Sequence, residues 1–532
     1  MTSALGFAFG IAFAFVGLAS AQQCISPTAG LPLGPADKRA VVFSLKENAA
    51  VFNDGDFSLT RTLNNILTTA GGSNVTPEQR ETLLDSLLSN LSATTMTNDD
   101  SGLTFTVTPR PGESVLTAKK LLDPNGPDQM VPVGLFNRLD LAPKDLSNCG
   151  EYRIVYAKKN DKQEFDNRFF LIFEAALPNP NAEASPAACQ EIAKFWSDLR
   201  TADDTHTAKS LVDFYFTGGP VVPGGENFEP VVDFRHYGIP NGQVRANAFV
   251  KPAGSPWHLR QWRTVLQQDG VPTFENEPVS ENPVPAYFGG VRPAVIPLDV
   301  FQFVSGEFRN EFTRGSVSQL VNVDRTAALP QGPGTTAQDL IGNLGVGIED
   351  KYYAVESNAA RTDDPAARAL GTPLMADIDD ALRAMKLDTA CHLTSAQVLN
   401  RMGAMTCGGC HQFSNGMEIA AGVNWPNSLG FVQINEEGNL SELLNNSFLP
   451  FRFNLVQSFL TTTHITQFVS TPDPYAVGLR VKLNGALQEY ELNRSPLSSA
   501  MAKLAVIEDV TVKLRGMDRA QPGAFVFYRK PD

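Results

Sequence analysis

The chain has 532 residues, a net charge of −14 and 42% hydrophobic residues, enough for two to four domains with large cores. Its acidic balance, spread without a basic cluster, argues against nucleic acid as a partner, because phosphates would repel it. No segment after the N-terminus has the eighteen or more apolar residues of a membrane span.

Residues Ala4 to Ala21 are apolar and uncharged and end in Ala19-Ser20-Ala21. That small-x-small ending reads as a secretory signal peptide over 1–21, cut before Gln22, although the usual basic n-region is missing. The mature protein is expected to be periplasmic or secreted, with no membrane span once the signal is removed. An oxidising compartment favours disulfides. With Cys407 and Cys410 set aside, Cys24, Cys149, Cys189 and Cys391 allow two bridges. Cys149–Cys189 is the favoured pair because both flank one β-rich stretch, which leaves Cys24–Cys391 as the weaker one.

Residues 22–147 read as a mainly helical N-terminal region. Its clearest helix starts at Thr76, with Pro77 at the first helical position and Gln79 completing a capping box. Leu83, Leu84, Leu87, Leu88 and Leu91 form its apolar stripe. From 148 to 308 the pattern reads as a β-rich domain: Tyr152, Ile154 and Tyr156 alternate, and Arg168 to Glu174 returns as a hairpin partner. Further strand-like runs lie at Val231–Phe234, Gln243–Val250 and Trp257–Leu266, the last closed by Asp269-Gly270. Helical character returns over 309–468. Residues 469–532 form a C-terminal β region, with Asn484-Gly485 as a hairpin turn between strand-like runs. The fold class is therefore α+β and multidomain. A β-rich central region is followed by a helical segment, which carries the motif described next, and a short C-terminal β region.

The chemistry is carried by one segment. Thr394 and Gln397 cap a helix that buries Val398, Met402 and Met405 and leads into Cys407-Gly-Gly-Cys410-His411. Residues i and i+3 of a helix project from one side, so both thiols can reach the vinyl groups on one porphyrin edge, and His411 can offer an imidazole nitrogen to iron. With six cysteines and six histidines in 532 residues, a chance Cys-x-x-Cys-His is expected in roughly one such chain per thousand. The segment resembles the attachment site of c-type cytochromes, which implies one covalent haem c on Cys407 and Cys410 with His411 as the proximal iron ligand. Blocks at 135–143, 148–157, 168–180 and 242–250 resemble exported bacterial proteins with a lone haem motif and no assigned activity. A structural zinc site drawing on Cys391, Cys407, Cys410 and either His392 or His411 is the alternative cofactor. A disulfide between Cys407 and Cys410, and a degenerate motif that no longer carries haem, are the other bland readings.

Met402 and Met405 share the motif's helix and cannot reach the opposite haem face, and Met417 follows His411 too closely. Candidates for a distal ligand are His392, His464, Met501, Met375 and Met385, and an open sixth position stays in view. His206, His236 and His258 read as surface or structural residues. The leading function is electron transfer or a redox role, with a redox partner protein or a small-molecule electron donor or acceptor. The first alternative is a haem enzyme of peroxidase or oxygenase type with an open distal site, so whether the chain is a haem-dependent oxidoreductase is left open. The second is a β-rich binding protein with a structural Cys/His zinc site. Its mark would be Trp257 and Trp262 exposed on one sheet face; hydrophobic core is the preferred reading of both.

Overall fold

The computed structural model describes Cys24, Ile25, Pro27 and residues 31–461, apart from 111, 144–145, 161, 163, 181–186, 222–226, 239–241, 250–256, 290–291, 322–335 and 360–363. It also describes three strands beyond them, at 478–483, 486–491 and 510–512. Residues 1–21, read as a signal segment, and His464 and Met501 lie outside the described residues. Helices and antiparallel sheet are both present, as an α+β fold requires.

The organising element is one eight-stranded antiparallel sheet. Its strands are β1 (Val42–Ser44), β2 (Met130–Arg138), β3 (Asn148–Lys158), β4 (Phe169–Pro178), β5 (Gly242–Ala248), β6 (His258–Leu266), β7 (Pro272–Glu277) and β8 (Ser357–Asn358). Strands β1 to β6 pair in chain order, and β7 and β8 share the far edge of β6. The β3–β4 hairpin is the one the alternation of Tyr152, Ile154 and Tyr156 announced.

Both faces of the sheet are covered, which explains why β3 and β4 are buried along nearly their whole length. One face carries aromatics under the helices α1 (Leu59–Thr69), α2 (Pro77–Ser89), α3 (Ala187–Asp198) and α4 (Asp204–Phe216). There Tyr152 stacks on Trp196 with centroids 6.1 Å apart, and Phe214 meets Tyr152 edge-on at 5.1 Å. The capping box of α2 forms as expected, and Leu83, Leu84, Leu87 and Leu88 are buried.

The opposite face is polar yet equally buried. Residues paired directly across strands share a face, so the registers Arg138↔Glu151, Arg153↔Glu174, Glu174↔Gln243 and Arg245↔Gln261 set one charged row. Arg153 lies 2.8 Å from Glu151 and 3.3 Å from Glu174, and Arg245 lies 3.5 Å from Glu174. The motif that follows α7 (Ser395–Met405) and the loops around it lie over this face; α6 (Pro373–Met385) packs on α7, α8 (Leu449–Thr461) packs on α3 and brings Arg452 within 3.6 Å of Asp140, and α5 (Leu298–Glu311) follows β7 in the chain.

Several expectations are corrected. Val231–Phe234 is no strand: Val231 and Val232 are buried in a loop, and a 3-10 turn runs over Phe234–Tyr237. The stretch read as mainly helical contains β1 and β2; Pro132 and Gly134 disguise β2, and its pairing is irregular between them. Helix returns at Leu298, ahead of 309. Strands Gly478–Leu483 and Ala486–Glu491 pair antiparallel as the C-terminal pattern implied, with Val510–Val512 beside the first.

Both expected disulfides are present, Cys149–Cys189 and Cys24–Cys391. They fit an oxidising compartment. Among the described residues no helix is long and apolar enough to cross a membrane.

Candidate functional site

The motif sits where α7 meets the polar face of the sheet. Thr394 and Gln397 form the capping box that starts α7. Buried residues nearly encircle the helix, and the Arg401 guanidinium is satisfied by the carbonyls of Ile419 at 2.7 Å and Leu320 at 3.0 Å. Met402 and Met405 are core residues.

The helix does not run straight into the motif. Thr406 is extended at φ −75° and ψ 156° and closes α7. The same residue opens the next turn: its hydroxyl accepts from the Gly409 N–H at 3.1 Å, and its carbonyl accepts from the Cys410 N–H at 2.9 Å. A wide π-type turn then covers Gly409–Phe413, the kind of helical irregularity that recurs at functional sites. The two thiols belong to this second turn, not to α7.

Cys407 and Cys410 form no disulfide and are both buried, while the other four cysteines are bridged. Burial pushes the Cys407 thiol up to about 11 and the Cys410 thiol well up, so both are protonated at neutral pH. The Cys407 N–H donates to Asn282 Oδ1 at 3.2 Å. Gln433 donates from Nε2 to the Cys410 carbonyl at 2.8 Å and reaches its Sγ at 3.8 Å.

His411 is only 4% exposed. Its Nδ1 lies 2.7 Å from the carbonyl oxygen of Phe431. A carbonyl only accepts, so Nδ1 carries the proton and Nε2 keeps its lone pair. Desolvation holds the ring pKa down to about 4, against the upward pull of that hydrogen bond. The ring is therefore neutral above that range, with Nε2 free to bind a metal. The Trp257 indole stacks on it at 5.4 Å, and Trp257 Nε1 donates to Asn247 Oδ1 at 2.9 Å.

His411 borders a small cavity of about 30 Å3 between the motif and the sheet. Phe136, Val155, Phe170 and Ile172 line its sheet side, and Ile434 and Leu444 the other. Polar groups on its wall come from Arg153, Asn247 and Gln433. Asn247 gives its oxygen to Trp257, which leaves its amide N–H2 for the cavity.

The other candidates lie elsewhere. His392 is exposed, in a left-handed conformation at φ 53° ahead of α7, and 11 helical residues put about 16 Å between it and the motif. Met375 and Met385 are half-buried at the two ends of α6. Cys391 is held in its disulfide, which removes it from the Cys3His zinc set. Trp257 and Trp262 are both fully buried, on opposite faces of the sheet, so they form no aromatic binding surface.

Among the described residues, three potential metal-binding atoms lie within 4.8 Å of one another at Glu229, Asp233 and His236. Arg235 occupies that cluster, 2.8 Å from both carboxylates, and His236 bonds to the Val231 carbonyl and Glu229. It is a satisfied structural network, as the sequence reading of His236 expected. His258 lies 3.3 Å from Glu356 and is likewise structural.

Sequence reasoning missed Asn282, Phe431 and Gln433, because their roles depend on which loop folds over the motif. It also missed Asn247, although a signal was available: Gln243, Arg245 and Asn247 alternate along β5, and that polar face turns inward onto the motif. The chain matches no protein-family model, no curated protein and no solved structure.

Proposed function

We propose that this is an exported, periplasmic or secreted protein that carries one haem c on Cys407 and Cys410, with His411 as proximal iron ligand, and serves electron transfer or redox sensing. The observation that carries the reading is a set of three. Two buried thiols stay unbridged in a chain whose other cysteines are all paired, and the adjacent histidine is fixed as its Nδ1–H tautomer beside an apolar cavity.

Each residue has a definite task. Each thiol would add its S–H across one vinyl group, sulfur to one carbon and hydrogen to the other, so no further reactant is consumed. The protonated state of both thiols suits that addition. His411 offers Nε2 to iron, and the hydrogen bond at Nδ1 raises its basicity. The apolar side chains around His411 would shield the group from water. A haem held this way supplies one-electron chemistry.

A second reading, a haem enzyme with an open distal site, is favoured by the composition of the cavity wall. Among the described residues, His411 is the only histidine that borders it, and no methionine does. The decisive experiment is a pyridine haemochrome spectrum after acid–acetone extraction of protein made with the c-type maturation machinery. Colour that stays with the polypeptide and gives the haem c spectrum upholds the proposal. A colourless chain made under the same conditions overturns it.

A further inference from the structure

The acceptor of the His411 hydrogen bond is unusual. Gly430 and Phe431 have φ values of 64° and 62°, the pair of positive angles found in type I′ turns, and a bulky side chain is disfavoured in that region. The ring of Phe431 is anchored, stacked on Trp257 at 5.0 Å and edge-on to Phe413 at 5.8 Å. A strained residue of this kind persists only where its surroundings over-determine it.

One side chain supplies the rest of that constraint. Arg168, 7% exposed on β4's leading edge, donates from Nη1 to the Gly430 carbonyl at 2.9 Å and reaches the Leu429 carbonyl at 3.5 Å. Its other edge grips Glu436 with two bonds, 2.7 Å from Nε and 3.1 Å from Nη2. The guanidinium also lies over the rings of Phe249 at 4.8 Å and Phe170 at 5.2 Å. Three successive carbonyls of the turn are thus spoken for, those of Leu429 and Gly430 by Arg168 and that of Phe431 by His411. A planar, five-donor group is suited to hold a turn and a carboxylate at once.

We infer that Arg168, latched by Glu436, is a positioning residue for His411: it locks the Gly430–Phe431 turn and so sets the direction and strength of the hydrogen bond at Nδ1. This rests on the proposal that His411 binds iron, where such an outer bond tunes ligand basicity and reduction potential. A weaker bond leaves the imidazole less electron-rich and favours reduced iron.

The test uses the holoprotein and reads the midpoint potential and the acid titration of the His411–iron bond. R168Q is expected to raise the potential and to move ligand loss to higher pH, and E436Q to do so less. R168K, which keeps the charge but not the fork, should restore only part. R263Q removes a partly buried arginine paired with Glu277 at 3.2 Å, away from the turn, and should lower stability without moving either readout. The inference is overturned if R168Q leaves both readouts at wild-type values, or if R263Q moves them as far. Should R168Q not fold, E436Q and R168K decide on the same readouts. A wild-type chain without haem defeats the underlying proposal instead, and the inference is then read on the apoprotein by 15N NMR. There the wild-type His411 ring should be wholly Nδ1–H and the R168Q ring a mixture; an unchanged tautomer in R168Q overturns the inference.

Discussion

Gly409 rests on the carbonyl of Gly403: a β-carbon at 409 would lie 1.8 Å from that oxygen, whereas one at 408 would meet only side chains, the Phe413 ring at 3.0 Å and the Ser357 hydroxyl at 3.4 Å. The two glycines between the cysteines are therefore unequal. Backbone cannot yield as a flexible ring edge can, and overpacking typically costs about 1–3 kcal/mol. G409A is expected to lose at least about 3 kcal/mol and most of its haem incorporation, and G408A about 1 kcal/mol with haem retained. Urea midpoints and haem content per chain check both. Equal effects at the two positions would mean that the close approach of Gly409 to α7 does not govern the motif.

That contrast marks what the sequence could and could not tell. The spacing of Cys407, Cys410 and His411 is local, so it was legible, as were the capping boxes at Thr76 and Thr394 and the β3–β4 hairpin. The support around the motif is not local. Asn282, Phe431 and Gln433 come from distant loops, and no periodicity announces a backbone carbonyl as a partner. The buried row of Arg153, Glu174 and Arg245 was illegible for another reason: polar residues alternating on a strand ordinarily face water. Here the motif and the loops around it cover that face. Strand β2 was hidden because Pro132 and Gly134 read as breakers.

The neutral, buried ring of His411 makes a signed prediction about pH. Its folded-state value is lowered from 6.5 to about 4. Protonation of the unfolded chain is therefore favoured first as pH falls, so the contribution is complete above 6.5 and is lost between 6.5 and 4. A shift of that size corresponds to about 3 kcal/mol. The apoprotein should show this loss in urea midpoints taken across the window, and H411Q should flatten it. Glu229, lowered to about 2 chiefly by its bond to His236, acts in a different window. Its contribution is present above 4.5 and is lost as pH falls towards 2. A loss confined below 4.5 would assign the effect to Glu229 and not to His411.

The cysteines should separate cleanly by chemistry. Denatured without reductant, the apoprotein is expected to take up two equivalents of alkylating agent, at Cys407 and Cys410, and the holoprotein none, as peptide mass spectrometry will show. The bridges differ in reach: Cys24 and Cys391 lie 367 residues apart and Cys149 and Cys189 only 40. Closing the longer loop removes more unfolded-state entropy in the chain-entropy picture. C24S is expected to cost about 2–4 kcal/mol and to free the N-terminal end from the loop before α7, which limited proteolysis would detect. Uptake of four equivalents by the apoprotein would contradict the pairing.

Carbon monoxide distinguishes an electron carrier from a ligand-binding haem. Ferrous haem binds the gas when its sixth position is open, and a firmly bound methionine or histidine blocks it. Across the cavity from His411 the wall presents Arg153, Asn247 and apolar side chains, none of which ligates haem iron strongly. The reduced holoprotein is therefore expected to bind carbon monoxide stoichiometrically, with a shift of the Soret band. H392A should leave that spectrum unchanged, because His392 lies beyond the far end of α7. If the reduced protein refuses the gas, the sixth ligand comes from outside the described residues, and His464 and Met501 are the side chains to replace. Recovery of binding in M501A or H464A would then assign the ligand and favour electron transfer over catalysis.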